Sequence, residues 1–266
     1  MTGRVRAAAA SSAQPARWPT ALVIVVCSLA ALALSVWPFL GVQAADPVAS
    51  SGVLLILLPG MMLLVLAQVM DGTMDVKALA LLGVLSAAIA VVRPLGSGVG
   101  GFETVFFLLI LGGRAFGAGF GFALGGVALL ASALLTGGVG PWLGMQMVCA
   151  AWLAAGAGLL PRRVRGRREI ALLAVYGIVS SYLFGALMNL WFWPSLAGAG
   201  AAASGVGFDP AAGAARNLQR FVTFTLVTST TSWDTVRAVT CAAALVLLGR
   251  PILGLLRRSG RAFSFQ

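Results

Sequence analysis

The sequence predicts an all-α fold, a polytopic bundle of membrane helices, and three observations carry that prediction. Of 266 residues, 60% are apolar and only 9% charged, which is too little polar surface for a water-soluble protein of this length. The apolar residues are gathered into eight runs separated by segments rich in Gly, Pro or charge. Lys and Arg number 18 against 7 Asp and Glu, a formal charge of +11, and these cations fall unevenly between alternate segments.

The first run, Ala21 to Leu40, follows Arg4, Arg6 and Arg17 and has the roughly 20 residues a helix needs to cross a bilayer. A basic stretch before an apolar run also describes a signal peptide, with an Ala-type cleavage site at Val42-Gln43-Ala44. The run is long for one, and an uncleaved helix is favoured; cleavage after Ala44 or Ala45 leaves seven spans in the same orientation. Val53 to Met70 is the second run and Ala78 to Val92 the third. The fourth, Thr104 to Gly113, is too short to span alone. It extends back toward Phe102 and past Arg114, or sits as a short helix shielded by its neighbours. Gly119 to Leu135, Trp142 to Leu160, Ile170 to Trp193 and Val239 to Leu256 complete the set. Between the last two, Pro194 to Arg216 contains AGAGAAASGVG and reads as a flexible loop. Asn217 to Ser232 is too polar for a lipid-facing span and reads as an interfacial or partly re-entrant piece over the outer mouth of the bundle.

Cations are retained on the cytoplasmic side of a membrane protein. With the N-terminus inside, the inner segments hold Arg4, Arg6, Arg17, Lys77, Arg114, the run Arg162, Arg163, Arg165, Arg167 and Arg168, and Arg250, Arg257, Arg258 and Arg261. That is 14 of the 18 cations, leaving Arg93, Arg216, Arg220 and Arg237 outside. The expected location is a cell membrane, multi-pass, with both termini cytoplasmic. The positive charge is a topology signal and calls for no nucleic-acid partner.

Several chemistries lack their raw material. His is absent, which removes the usual base and metal ligand, and Cys27, Cys149 and Cys241 sit in apolar runs without CxxC spacing. Gly96 to Gly101 matches GxGxxG but lies between membrane helices with no βαβ context, and there is no GxxxxGK[ST]. The acids Asp46, Asp71, Asp75, Glu103, Glu169, Asp209 and Asp234 are scattered among loops and span ends. No catalytic residue, metal site or catalytic cofactor is expected.

Small and polar residues say more. Gly117, Gly121 and Gly125 form GxxxGxxxG on the fifth span, where backbones can approach closely. Ala80, Gly83, Ala87 and Ala90 give the third span a smooth face, suited to internal packing or to docking another membrane protein. At the outer level the sequence places Arg93, Phe102, Glu103, Thr104, Trp142, Gln146, Asn189, Trp191, Trp193, Trp233, Asp234 and Arg237. An aromatic belt explains the tryptophans but not Gln146 and Asn189 inside their helices, nor Asp234 and Arg237 at i, i+3. Arg93, Phe102, Glu103, Trp142, Gln146, Asn189, Trp193, Trp233, Asp234 and Arg237 are therefore the candidate lining of an outward pocket for a small organic ligand.

The stretch from Arg93 to Arg167, above all FFLLILGGRAFGAGFGF and LLTGGVGPW, continuing to NLWFWP and TSTTSWDTVRA, resembles the substrate-binding S components of energy-coupling factor (ECF) transporters in the form common among high-GC actinobacteria. The resemblance covers roughly Val76 to the C-terminus. It implies a six-helix core over residues 76–266, with residues 1–75 a basic tail and two additional transmembrane helices. It further implies that Ala78 to Val92 presents its small residues to a shared transmembrane coupling protein driven by two ATPase subunits. The family often carries AxxxA there, whereas this chain has Gly83xxxAla87. Such a protein is the membrane-embedded binding subunit of an ABC importer: it takes a vitamin from outside, catalyses nothing, and leaves ATP to its partners. The matching outer regions are Arg93 to Thr104, Leu135 to Gln146 and Asn189 to Arg237. Cobalamin is favoured by the actinobacterial form and by the long segment 194–232, with thiamine-related compounds, other vitamins and metal chelates open. A membrane lipid enzyme would need paired acids or His, and a self-sufficient secondary transporter an internal repeat with broken helices. A non-catalytic membrane scaffold is the remaining rival.

Overall fold

A computed structural model describes residues 18–36, 39, 60, 63–68, 72, 74–96, 100–196 and 205–263, and among these it contains helices and no strand. The helices are α1 (Trp18–Val36), α2 (Val76–Val92), α3 (Phe106–Phe116), α4 (Ala118–Thr136), α5 (Leu143–Leu159), α6 (Arg167–Phe192), α7 (Ala214–Thr225) and α8 (Thr235–Phe263). A π-helical segment, Leu226–Asp234, joins α7 to α8. Four helical stretches, Val76–Gly96, Ala118–Thr136, Arg167–Ser195 and Ala214–Gly260, are long and apolar enough to cross a membrane, which marks the chain as a membrane protein. Of the second predicted run only residues 60 and 63–68 are described, both helical; the candidate cleavage site at Ala44 lies outside the described residues.

Local sequence explains the ends of these helices. Asp75 caps α2, its Oδ1 accepting from the Ala78 N–H at 2.7 Å. At the other end of α2, Thr104 Oγ1 donates to the Val92 carbonyl at 3.1 Å, tying the start of α3 to the end of α2. α2, α4 and α6 run toward one end of the bundle, where Arg93 reaches Gln146 at the start of α5. α3, α5 and α8 run back to the other, where Arg114 meets the Leu160 carbonyl and Glu169.

α3 occupies the centre. Its 11 residues span about 16 Å, half the hydrocarbon thickness, and Leu109, Ile110 and Leu111 are completely buried against α4, α5 and α8. The short fourth run is therefore a shielded helix reaching past Arg114, one of the two expected outcomes. Glycine makes the shielding tight. At Gly121 a Cβ would lie 2.7 Å from the Ala154 carbonyl oxygen, and at Gly113 and Gly125 it would collide with the α5 backbone at Ala154 and Ala150. Gly117 departs from the expected glycine face: it is the turn between α3 and α4, with φ +98°, a conformation an L side chain strains to adopt.

The structure refines two expectations about the connection between α6 and α8. Asn217 to Ser232 is helical and belongs to a 47-residue helical stretch, Ala214–Gly260, which leaves out a re-entrant loop, while its amphipathic first part, Ala214–Thr225, agrees with the interfacial alternative. Within it Thr223 Oγ1 donates to the Gln219 carbonyl and Thr228 Oγ1 to that of Phe224, while Thr225 Oγ1 is buried without a hydrogen-bond partner. Residues 205–213 are joined to α7 by hydrogen bonds and an ion pair. Asn217 Nδ2 donates to the Asp209 and Ala212 carbonyls, and Arg220 pairs with Asp209 at 3.4 Å. Residues 197–204 of that segment lie outside the described ones.

Candidate functional site

At the Arg93 end the helix termini enclose a cavity of about 200 Å³. Six of the ten candidate residues line it: Arg93, Phe102, Glu103, Gln146, Trp233 and Arg237. Arg93 arrives from the last turn of α2 and is held by Gln146 Oε1 at 3.1 Å and Ser132 Oγ at 3.3 Å, so three helices fix one guanidinium. Arg237 arrives from the first turn of α8. Its Nη1 donates to Asp234 Oδ1 at 2.6 Å, the i, i+3 pair that the spacing predicts. Asp234 is itself 1% exposed, accepts from Ser229 Oγ at 2.6 Å, and fits a niche left by the missing side chain of Gly185.

The same guanidinium lies 5.1 Å from the Phe184 ring centroid and 5.7 Å from that of Phe106. Its Nε faces Glu103 Oε2 at 3.8 Å, beyond hydrogen-bond range, and is buried without a hydrogen-bond partner. Glu103 is held in place by the Val105 N–H, which donates to Oε1 at 3.0 Å, while its own N–H donates to Thr240 Oγ1 at 3.2 Å. Burial pushes the Glu103 carboxyl upward from its ordinary value, opposed by the Val105 N–H and by the charges of Arg237 and Arg93. Gly101, at φ +86°, lets the 100–105 connection lie directly on the Trp233 backbone, where a Cβ would collide. The cavity gathers two cations, one acid, an amide and aromatic walls, with Phe102 and Trp233 each 47% exposed at its mouth.

No protein-family model, curated protein or solved structure matches the chain. The functional reading rests on this geometry and on the sequence.

The remaining candidates are placed differently. Trp193 is fully buried elsewhere, its Nε1 donating to the Val206 carbonyl at 2.8 Å and its ring packed against Phe39, Phe208 and Phe221. It anchors the 205–213 connection and lines no described cavity. Trp142 stands 45% exposed at the start of α5, and Asn189, whose Nδ2 is buried without a hydrogen-bond partner, is also outside the cavity lining. On α2, Ala80, Gly83 and Ala87 face outward, and a Cβ at Gly83 meets nothing within 4 Å. Ala90 is 4% exposed and belongs to the core; seven residues on from Gly83 it lies on the same helix stripe, which is covered at this end of α2.

Sequence reading missed Phe106 and Phe184, which sit in apolar runs with no spacing signal and yet form the walls behind Arg237. It also missed a charge cluster at the opposite end. Glu169, taken there as an isolated acid, accepts from Arg114 Nε at 2.7 Å and from Arg257 Nη2 at 2.6 Å. Arg114 uses its other donors on the carbonyls of Leu160, Pro161 and Val164, stitching the α5–α6 connection to α3.

Proposed function

We propose that this chain is the substrate-capturing membrane subunit of an ECF-type importer, binding a compact vitamin or related metabolite at the Arg93 end of the bundle. The observation that carries the proposal is the convergence of Arg93, Glu103, Gln146, Trp233 and Arg237 on one cavity, with Arg237 Nε left unpartnered. The cation distribution turns this end outward and both termini inward. Within the proposal, α2 to α6 and the 47-residue helix form the six-helix core, and residues 1–75 are an addition to it. Ala80, Gly83 and Ala87 receive the coupling protein, and two ATPase subunits supply the energy. The chain itself catalyses nothing in this reading.

The described cavity favours a small ligand over cobalamin. At about 200 Å³ it lies below the roughly 300–1,000 Å³ usual for small-molecule pockets, which supports a compact ligand. Two arginines against one glutamate favour a ligand with an anionic group and a flat ring to stack on Trp233 or Phe102. The test is uptake of labelled vitamins into vesicles holding this chain alone or together with coupling and ATPase subunits. The proposal predicts binding by the chain alone and ATP-dependent uptake only with its partners. Uptake by the chain alone would assign it to the secondary transporters.

A further inference from the structure

The end of the bundle opposite the substrate cavity holds a larger one, of about 510 Å³, lined by Arg114, Arg162, Arg165 and Arg257 with Ala115 and Phe116. Among the described residues its neighbouring acid is Glu169, and both carboxylate oxygens are occupied: Oε1 by Arg114 and Arg257, Oε2 by Arg257 at 3.1 Å. Four guanidinium groups less one carboxylate leave a net charge of +3. Arg162 and Arg165 have no ion-pair partner among the described residues and are exposed at the cavity wall.

From this we infer that the cavity binds a phosphate-type anion, supplied by the headgroup of an anionic phospholipid. Clustered guanidinium groups match the planar, multidentate demand of phosphate oxygens. Apolar surface beside the cavity favours the lipid source: Leu159, at the end of α5, is 77% exposed and Leu255, near the cavity on α8, is 58% exposed. Exposed leucines flanking clustered arginines suit acyl chains beside a headgroup. The inference depends on the chain being embedded in a membrane and is independent of what the opposite cavity binds.

The test uses the purified full chain in mixed micelles doped with phosphatidylglycerol or phosphatidylcholine, read by thermal stabilisation and by lipid retained in native mass spectrometry. Phosphatidylglycerol is expected to stabilise the wild type and phosphatidylcholine not. Arg162→Gln with Arg165→Gln weakens apparent phosphatidylglycerol affinity about 25-fold, roughly fivefold per arginine. Arg163→Gln with Arg168→Gln removes the same charge from exposed positions outside the cavity and is expected to weaken affinity less than the cavity pair does. Equal loss in the two variants, or no preference for phosphatidylglycerol, overturns the site. Equal stabilisation by inorganic phosphate alone overturns the lipid source and assigns the cavity to a soluble phosphoanion.

Discussion

Replacing Glu169 by Gln keeps the size of the side chain and removes one charge from the centre of the Arg114–Glu169–Arg257 cluster. The Arg114 side chain is 2% exposed and that of Glu169 3%, so the change leaves a buried guanidinium with carbonyl partners only. Breaking a buried pair from one side costs about 3–5 kcal/mol, because the remaining charge stays desolvated. Arg257 is different: its side chain is 29% exposed, and Arg257→Gln leaves Glu169 still paired with Arg114, so the expected cost is about 1 kcal/mol or less. At about 2–4 °C per kcal/mol, Glu169→Gln lowers the unfolding midpoint in detergent by roughly 6–20 °C and Arg257→Gln by no more than about 4 °C. A thermal melt followed by intrinsic tryptophan fluorescence reads both. Similar shifts for the two variants would refute the claim that burial of Arg114, rather than the number of ion pairs, sets the cost.

Other outcomes follow from the same geometry. Gly113→Ala puts a methyl against the Ala154 carbonyl and costs about 1–3 kcal/mol, whereas Gly83→Ala meets nothing and is neutral or stabilising in the same melt; the reverse order contradicts the packing. Under the proposed ECF reading, Gly83→Leu leaves the melt unchanged but blocks co-purification of the proposed coupling protein, and full assembly removes that docking face. Because burial raises the Glu103 carboxyl, the folded chain keeps that proton over a pH interval in which the unfolded chain has lost it. Its contribution to stability therefore falls as pH rises from the ordinary carboxylate value to the raised one. Glu103→Gln flattens that slope, and an unchanged slope across a pH series of melts rules the assignment out. Asn189→Leu, outside the cavity, leaves ligand affinity within about twofold, while Trp233→Ala weakens it about tenfold or more.

Hydropathy made the helices legible because bilayer thickness imposes a length on apolar runs, and Asp234 with Arg237 was legible because helical spacing alone brings i and i+3 together. The same logic placed Arg93, Glu103 and Gln146 at one level, and the fold gathers them in one cavity. Glu169 was not legible: its partners stand 55 and 88 residues away, and no local pattern encodes which basic span end meets which acid. Trp193 failed for another reason. An interfacial tryptophan and a buried one share the same sequence context, and only the fold brings Phe208 and Phe221 onto its ring. The 217–232 segment reads as polar by composition, and hydroxyls such as those of Thr223 and Thr228 that bond their own helix carbonyls leave it helical where a re-entrant loop was an alternative.

The most direct test of the central claim is equilibrium binding of a panel of vitamins to the purified chain and to its Arg237→Gln and Trp233→Ala variants. The account predicts that a compact, anionic member binds the wild type and that each variant weakens it at least about tenfold. Binding that survives both substitutions, or a panel in which nothing binds, would contradict it.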